Sequence, residues 1–214
     1  MEISIIGTGQ MAHGIGTRLV AGGHAVTLLS RHPEKGAELA ATLQAATRHG
    51  ASVQTLPFGS PLQGEVVVLA VPYSAAAEAL DPYTAQLPGK ILVDITNPLN
   101  ATFDGLVTPP ESSAAQEIAC LVQASTHVIK AFNTIFFPTL LTGQVAGQPL
   151  DVFIAGDDDA AKATVSQLVT DGGMRPIDSG PLAYARYLEA LGFLGIRLPF
   201  SRSAQFQSAW KLIA

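Results

Sequence analysis

The chain has 214 residues, of which 48 % are hydrophobic and only 14 % charged, with a formal net charge of −5. That composition supports a sizeable core, excludes a disordered chain and, with no basic run, argues against nucleic acid as a partner. The single cysteine, Cys120, excludes an intrachain disulfide framework and, set in an apolar stretch, reads as a small buried hydrophobe.

Residues 2–6, EISII, form the first expected strand, with no basic leader ahead of them. A glycine-rich turn follows, then a helix to about Ala21 with Met11, Ile15 and Leu19 on one face, ended by Gly22-Gly23. Residues 25–30, AVTLLS, read as the second strand, and Pro33 opens a helix through about Ala46. A weaker strand at 52–56 precedes EVVVLAV at 65–71, whose unbroken apolar run fits a strand covered on both faces. Pro72 stops it, a short helix spans Ser74 to Leu80, and KILVDIT at 90–96 runs into Asn97-Pro98.

Residues 103–112 read as a loop, and Ser113 with Gln116 fits a capping box at the next helix. Further strands are expected at 127–132, 151–156 and 175–178. Asp157, Asp158 and Asp159 between the last two read as helix N-terminal caps rather than a metal site. The histidines at 13, 24, 32, 49 and 127 are scattered, so no metal is expected. From Pro181 onward the pattern is helical, with an interruption near Pro199.

Short strands alternating with helices predict an α/β fold: a doubly wound, mostly parallel, Rossmann-like sheet over residues 1–180. Residues 181–214 form a short C-terminal helical segment, serving an acceptor site or a dimer contact. No apolar run nears the roughly 20 residues that span a bilayer, so the expectation is a soluble, cytoplasmic protein without a membrane partner.

Gly7-Thr8-Gly9-Gln10-Met11-Ala12 matches G-x-G-x-x-G/A between an expected strand and an expected helix, where the pattern carries a mechanism. Gly7 permits the tight turn, Gly9 lets the backbone approach a pyrophosphate, and Ala12 and Gly16 let the helix pack closely. At the end of the second strand, where an acid would bind the ribose 2′-hydroxyl of NAD, the chain has Ser30-Arg31. A serine donor and a planar cation suit a 2′-phosphate, with Lys35 a turn further on and Thr8 nearby, so the sequence reads as NADP(H)-selective.

IIGTGQMAHGIG, LLSRHPEK, LAVPY, VDITNPL, KAFNT, FIAGDD and DSGPLAYARYLE together resemble the deazaflavin-dependent (coenzyme F-420) NADP reductase family over nearly the whole chain. They also resemble the cytosolic domain of the six-transmembrane metalloreductases. The resemblance implies hydride transfer between NADP(H) and a small-molecule acceptor, coenzyme F-420 or FMN/FAD, in a homodimer. It places Thr8, Ser30, Arg31 and Lys35 around the 2′-phosphate and the backbone of Gln10 and Met11 on the pyrophosphate. Val71-Pro72, Asn97-Pro98-Leu99 and Asn133-Thr134-Ile135 would border the nicotinamide and acceptor. Ile135-Phe136-Phe137 and the connection NPLNATFDG depart from the family pattern and reshape the acceptor side, with Phe136 and Phe137 either pocket walls or hydrophobic anchors.

Ring-to-ring hydride transfer asks little of acids and bases, and no catalytic acid or base is nominated. Asn133 bonds a ring amide or finishes a strand end; His127 reads as structural; Arg186 and Glu189, three apart, pair with each other. Two other readings stay open: an NADPH-dependent reductase of a small imine or carbonyl, and a non-enzymatic NADP(H) sensor.

Overall fold

The computed structural model describes residues 1–47, 50–202 and 206–213; His49 lies outside them. In chain order the first half runs β1 (Glu2–Ile6), α1 (Gln10–Ala21), β2 (Ala25–Ser30), α2 (Pro33–Ala45), β3 (Val53–Pro57), β4 (Val66–Leu69), α3 (Ala76–Leu80) and β5 (Ile91–Asp94). The second half runs α4 (Ala114–Leu121), β6 (His127–Lys130), α5 (Phe137–Thr142), β7 (Gln144–Val145), β8 (Gln148–Pro149), β9 (Asp151–Gly156), α6 (Asp159–Asp171), β10 (Arg175–Asp178) and α7 (Ala185–Arg202).

Eight of these strands make one sheet in the order β10-β9-β6-β5-β4-β1-β2-β3. Its pairs are parallel except β6 with β9, so the expected doubly wound, mostly parallel architecture is present. Successive side chains of a strand point to opposite faces, and the sheet feeds two cores accordingly. Ile3, Ile5, Val66 and Val68 pack with Ile15 of α1, Leu43 of α2 and Val165 of α6. Ile6, Val67, Leu69 and Leu92 pack on the other face with Leu80, Tyr83 and Ile118. Burial on both faces is why β4 and β5 read as continuous apolar runs. A Cβ at Gly16 would sit 2.7 Å from Leu43 Cδ1, so that glycine sets how closely α2 approaches α1.

Several elements depart from the sequence reading. Pro199 does not interrupt the last helix: α7 continues to Arg202, because a proline deletes one backbone bond without ending a helix whose other bonds persist. Cys120 is exposed rather than buried. The buried face of α4 is Ala114, Ala115 and Ile118, and Cys120 lies two positions past Ile118, on the far side. Helix α5 and the β7–β8 hairpin were not anticipated, since six and two residues are too few to show a period. The capping box holds: Ser113 Oγ accepts the Gln116 N–H at 3.1 Å. Asp158 likewise caps α6, accepting from Ala161 N at 2.7 Å. Leu182 and Ala185, past the expected boundary at 180, are buried in the second core.

Candidate functional site

From β1 the chain moves to β2, and from β4 to β5, on opposite sides of the sheet, so the loops after β1 and β4 diverge and leave a crevice at the strand C-termini. Gly7 floors it with φ +114°, and a Cβ there would collide with the Ala70 carbonyl oxygen. Only glycine takes this turn without strain. Gly9 caps α1 without a side-chain hydrogen bond, and no acidic residue sits in the first helical turn. The opening N–H groups of α1 therefore face the crevice without intrahelical acceptors and favour an anion. A Cβ at Gly9 would meet no atom within 4 Å. The protein's own packing does not require glycine there, and the loop leaves the room beside it for a ligand.

Beyond Gly7 and Thr8 lies a cavity of about 160 Å³ walled by Leu29, Arg31, Phe58, Val71 and Ala79. The Arg31 guanidinium lies 4.6 Å from the Phe58 ring centroid and 2.9 Å from Glu78 Oε1. Thr8 Oγ1 is 3.5 Å from Ser30 Oγ. The Ser30 hydroxyl donates to the His32 carbonyl at 2.7 Å and accepts the His32 N–H at 3.1 Å. Its proton is thus committed to the turn that presents Arg31, where sequence reasoning had it free for a phosphate. Lys35 is exposed and lines neither this cavity nor the larger one.

On the other side of Val71 opens a cavity of about 790 Å³, with Gly9, Gln10 and Met11 at one end. Its walls are mostly apolar, including Pro72, Ile95, Leu99, Phe103 and Val107, with Ser74, Thr96, Asn97 and Asn100 as polar points. The connection after β5 forms the outer wall. A Leu99–Leu106 bridge closes it, and Asp104 Oδ1 accepts from Asn100 Nδ2 and Thr102 Oγ1, each at 2.7 Å. This ties down the loop that carries Phe103 and Val107 at the cavity wall. Tyr73 also lines the cavity, its hydroxyl donating to Glu117. Burial, and then the Glu117 bond, push that hydroxyl up to about 12.

The third segment expected at this rim sits behind it. Asn133 is buried, and its Nδ2 donates to Asn97 Oδ1 and to the Leu188 carbonyl, each at 2.9 Å. Asn97 Nδ2 donates back to the Asn133 carbonyl at 2.8 Å. The Asn133 amide protons are therefore spent on the protein and face no ligand. Ile135 belongs to the core, Pro98 is buried, and Thr134 borders a hollow of about 80 Å³ beside Trp210, not the large cavity. Phe136 packs against Phe206 with centroids 5.1 Å apart, and Phe137 against His13 at 5.2 Å. Both act as anchors, and neither lines the large cavity. The Thr96 hydroxyl and Asn133 Oδ1 are buried without a partner among the described residues, leaving hydrogen-bonding capacity beside the cavity unspent.

The expected Arg186–Glu189 pair does not form. Arg186 donates to the Tyr187 hydroxyl at 2.7 Å and lies over that ring. Glu189, one position after the buried Leu188, turns inward, with Oε1 2.8 Å from Lys130 Nζ, and accepts the N–H groups of Ala114 and Ala115 at the start of α4. Burial, more than Lys130 offsets it, raises the Glu189 carboxyl above its usual range. Lys130 is wholly buried, and Asp94 is its second carboxylate, at 2.7 Å. Sequence reasoning missed this cluster; the one signal was a charge at the C-terminal end of each of two otherwise apolar strands, Asp94 on β5 and Lys130 on β6. His127 Nδ1 lies 3.3 Å from Asp158 Oδ2, in keeping with a structural role. Among the described residues no group of three or more His, Cys, Asp or Glu is placed to hold a metal, and no helix is long and apolar enough to cross a membrane.

A family model, "NADP oxidoreductase coenzyme F420-dependent", matches residues 2–98. An F420-dependent NADP reductase of Methanothermobacter marburgensis is 32 % identical over 209 residues, 92 % of each chain. The metalloreductase STEAP3 of Rattus norvegicus is 36 % identical over 190 residues, which is 89 % of this chain but 36 % of that protein; the chain spans about a third of its length. Among solved structures, a putative F420-dependent NADP reductase from Arthrobacter sp. FB24 superposes with a TM-score of 0.83 at 30 % identity, covering 99 % of both chains.

Proposed function

The chain belongs to the coenzyme F420-dependent NADP oxidoreductase family and is an NADP-dependent oxidoreductase; from that premise we propose that it passes hydride between NADP(H) and a deazaflavin held in the 790 Å³ cavity. One observation carries the reading: the two cavities meet at Val71, on either side of the Gly7–Met11 loop. An extended dinucleotide laid across the sheet's C-terminal edge then has its adenosine end at Arg31 and Phe58, its pyrophosphate on the start of α1 and its nicotinamide toward Pro72 and Asn97.

In this reading Arg31 supplies the charge for a 2′-phosphate, the Thr8 hydroxyl adds a donor, and Ser30 holds the turn that aims the guanidinium. Lys35 contributes at longer range. The backbone N–H groups of Gln10 and Met11 receive the pyrophosphate. The bound rings supply the redox chemistry themselves. The protein's part is to stack them at roughly 3–3.5 Å and keep water out, a task suited to Met11, Val71, Pro72, Leu99, Phe103 and Val107.

A free flavin, FMN or FAD, is the second acceptor, supported by the size and mostly apolar wall of the same cavity. The test is anaerobic NADPH oxidation by purified protein offered coenzyme F420, FMN or FAD. Turnover with F420 at least a hundredfold above both flavins is expected. Preference for FMN or FAD overturns the deazaflavin assignment, and tight NADPH binding with no turnover on any of the three overturns the acceptor reading as a whole.

A further inference from the structure

The buried charges behind the large cavity are arranged around one residue on its wall. Thr96 follows β5 and lines that cavity. Both of its backbone polar groups are taken by side chains: its N–H donates to Asp94 Oδ1 at 2.8 Å, and its carbonyl accepts from Lys130 Nζ at 2.5 Å. Lys130 also contacts Asp94 Oδ2 at 2.7 Å and Glu189 Oε1 at 2.8 Å, and all three side chains are at most 1 % exposed. The next residue, Asn97, is held by its two-way bond with Asn133.

A wholly buried lysine between two carboxylates is an expensive way to hold a fold, because an apolar cluster of the same volume is often as stable or more so. What an apolar cluster does not do is donate to the Thr96 carbonyl. Lys130 also joins elements distant in sequence: β6 carries it, β5 carries Asp94, and α7 carries Glu189, which in turn receives two N–H groups of α4.

We propose that Lys130 is a positioning residue for the reaction: with Asp94 and Glu189 it fixes the Thr96–Asn97 backbone as the inner wall against which the nicotinamide and acceptor rings are stacked. The inference rests on the placement of NADP(H) given above. Ring stacking tolerates little displacement, so a wall free to move by an ångström loses alignment while the distant adenosine end at Arg31 is undisturbed. In this proposal the cluster's part is geometric, holding the wall of the cavity in place.

The test uses the full chain with the cluster neutralised as a unit, Asp94→Asn with Lys130→Met and Glu189→Gln, and compares NADP+ with 2′,5′-ADP, which has only the adenosine end. The expected variant melts within a few degrees of wild type and binds 2′,5′-ADP within twofold, but binds NADP+ at least tenfold more weakly. Hydrogen exchange at the Thr96 and Asn97 amides rises at least tenfold. Unchanged NADP+ binding with unchanged exchange overturns the proposal, as does an equal loss for both ligands, which a merely structural role produces. Failure of wild type to bind either ligand instead overturns the NADP(H) placement. Should the variant not fold, exchange in the wild type decides: protection of Thr96 equal to that of β5 supports the clamp, and exchange as fast as Ala101 in the same connection overturns it.

Discussion

Arg31 and Glu78 are an ion pair, Nη1 to Oε1 at 2.9 Å, while the face of the same guanidinium rests on Phe58. The ring and the carboxylate hold the cation over the small cavity before any ligand arrives. Replacing Arg31 with alanine is expected to weaken NADPH binding by about 1.5–3 kcal/mol, the range for a charge-assisted contact, and to leave NADH binding little changed. The Arg31 side chain is 42 % exposed, so the lower end applies at physiological salt. Fluorescence titration with both cofactors measures this, and equal losses for the two would remove Arg31 from the 2′-phosphate.

Glu78 competes for that cation. Its side chain is 74 % exposed, so the pair contributes at most about 1 kcal/mol. Glu78→Gln is expected to tighten NADPH binding about two- to fivefold at low salt, with the gain shrinking as salt is added. An unchanged or weaker affinity would mean that the carboxylate orients Arg31 more than it neutralises it.

Gly7 and Gly9 separate packing from ligand contact. Alanine at position 7 meets both a φ of +114° and the Ala70 carbonyl, so Gly7→Ala is expected to lower the melting temperature clearly. Alanine at position 9 meets nothing within 4 Å. Gly9→Ala is expected to melt like wild type yet bind NADP(H) at least tenfold more weakly, as its methyl enters the space left for the pyrophosphate. A Gly9→Ala protein that binds normally would show that the loop holds no phosphate.

What the sequence revealed and what it hid divide along a physical line. Strands β1, β2, β4 and β5 and the glycine turn announce themselves because burial on both faces and left-handed backbone each demand residue types that are visible one position at a time. Lys130 and Glu189 gave no such sign, since their partners are assembled only when β5, β6, α4 and α7 come together. Asn133 is the reverse case: the motif points to it with two readings open, a ring contact or a backbone bond, and its pairing with Asn97 and the Leu188 carbonyl turns its Nδ2 into the protein. Ser30 stands between these cases, placed correctly at the end of β2 yet with its proton committed to the His32 carbonyl.

Asp151 ties the C-terminal segment to the sheet and makes its attachment pH-dependent. It is buried on β9 and accepts from Arg175 Nε at 2.8 Å, Lys211 Nζ at 2.7 Å and Leu212 N at 2.8 Å. Burial alone would raise its carboxyl, but these donors outweigh that and hold it at about 2 against an ordinary 3.8. A folded value below the unfolded one stabilises the protein fully above the ordinary value, and the contribution disappears as pH falls from about 4 toward 2. The shift corresponds to about 2 kcal/mol. Trp210 is the single tryptophan and donates to the Leu191 carbonyl at 3.2 Å, so its fluorescence reports on the docking of this segment. Asp151→Asn is expected to lower stability at pH 7 by about 2 kcal/mol in urea unfolding and to shift the Trp210 emission to the red. The variant should also lose less stability than wild type between pH 4 and pH 2.5. A variant with wild-type stability at pH 7 and the same acid sensitivity would show that the segment is held by its apolar contacts and not by Asp151.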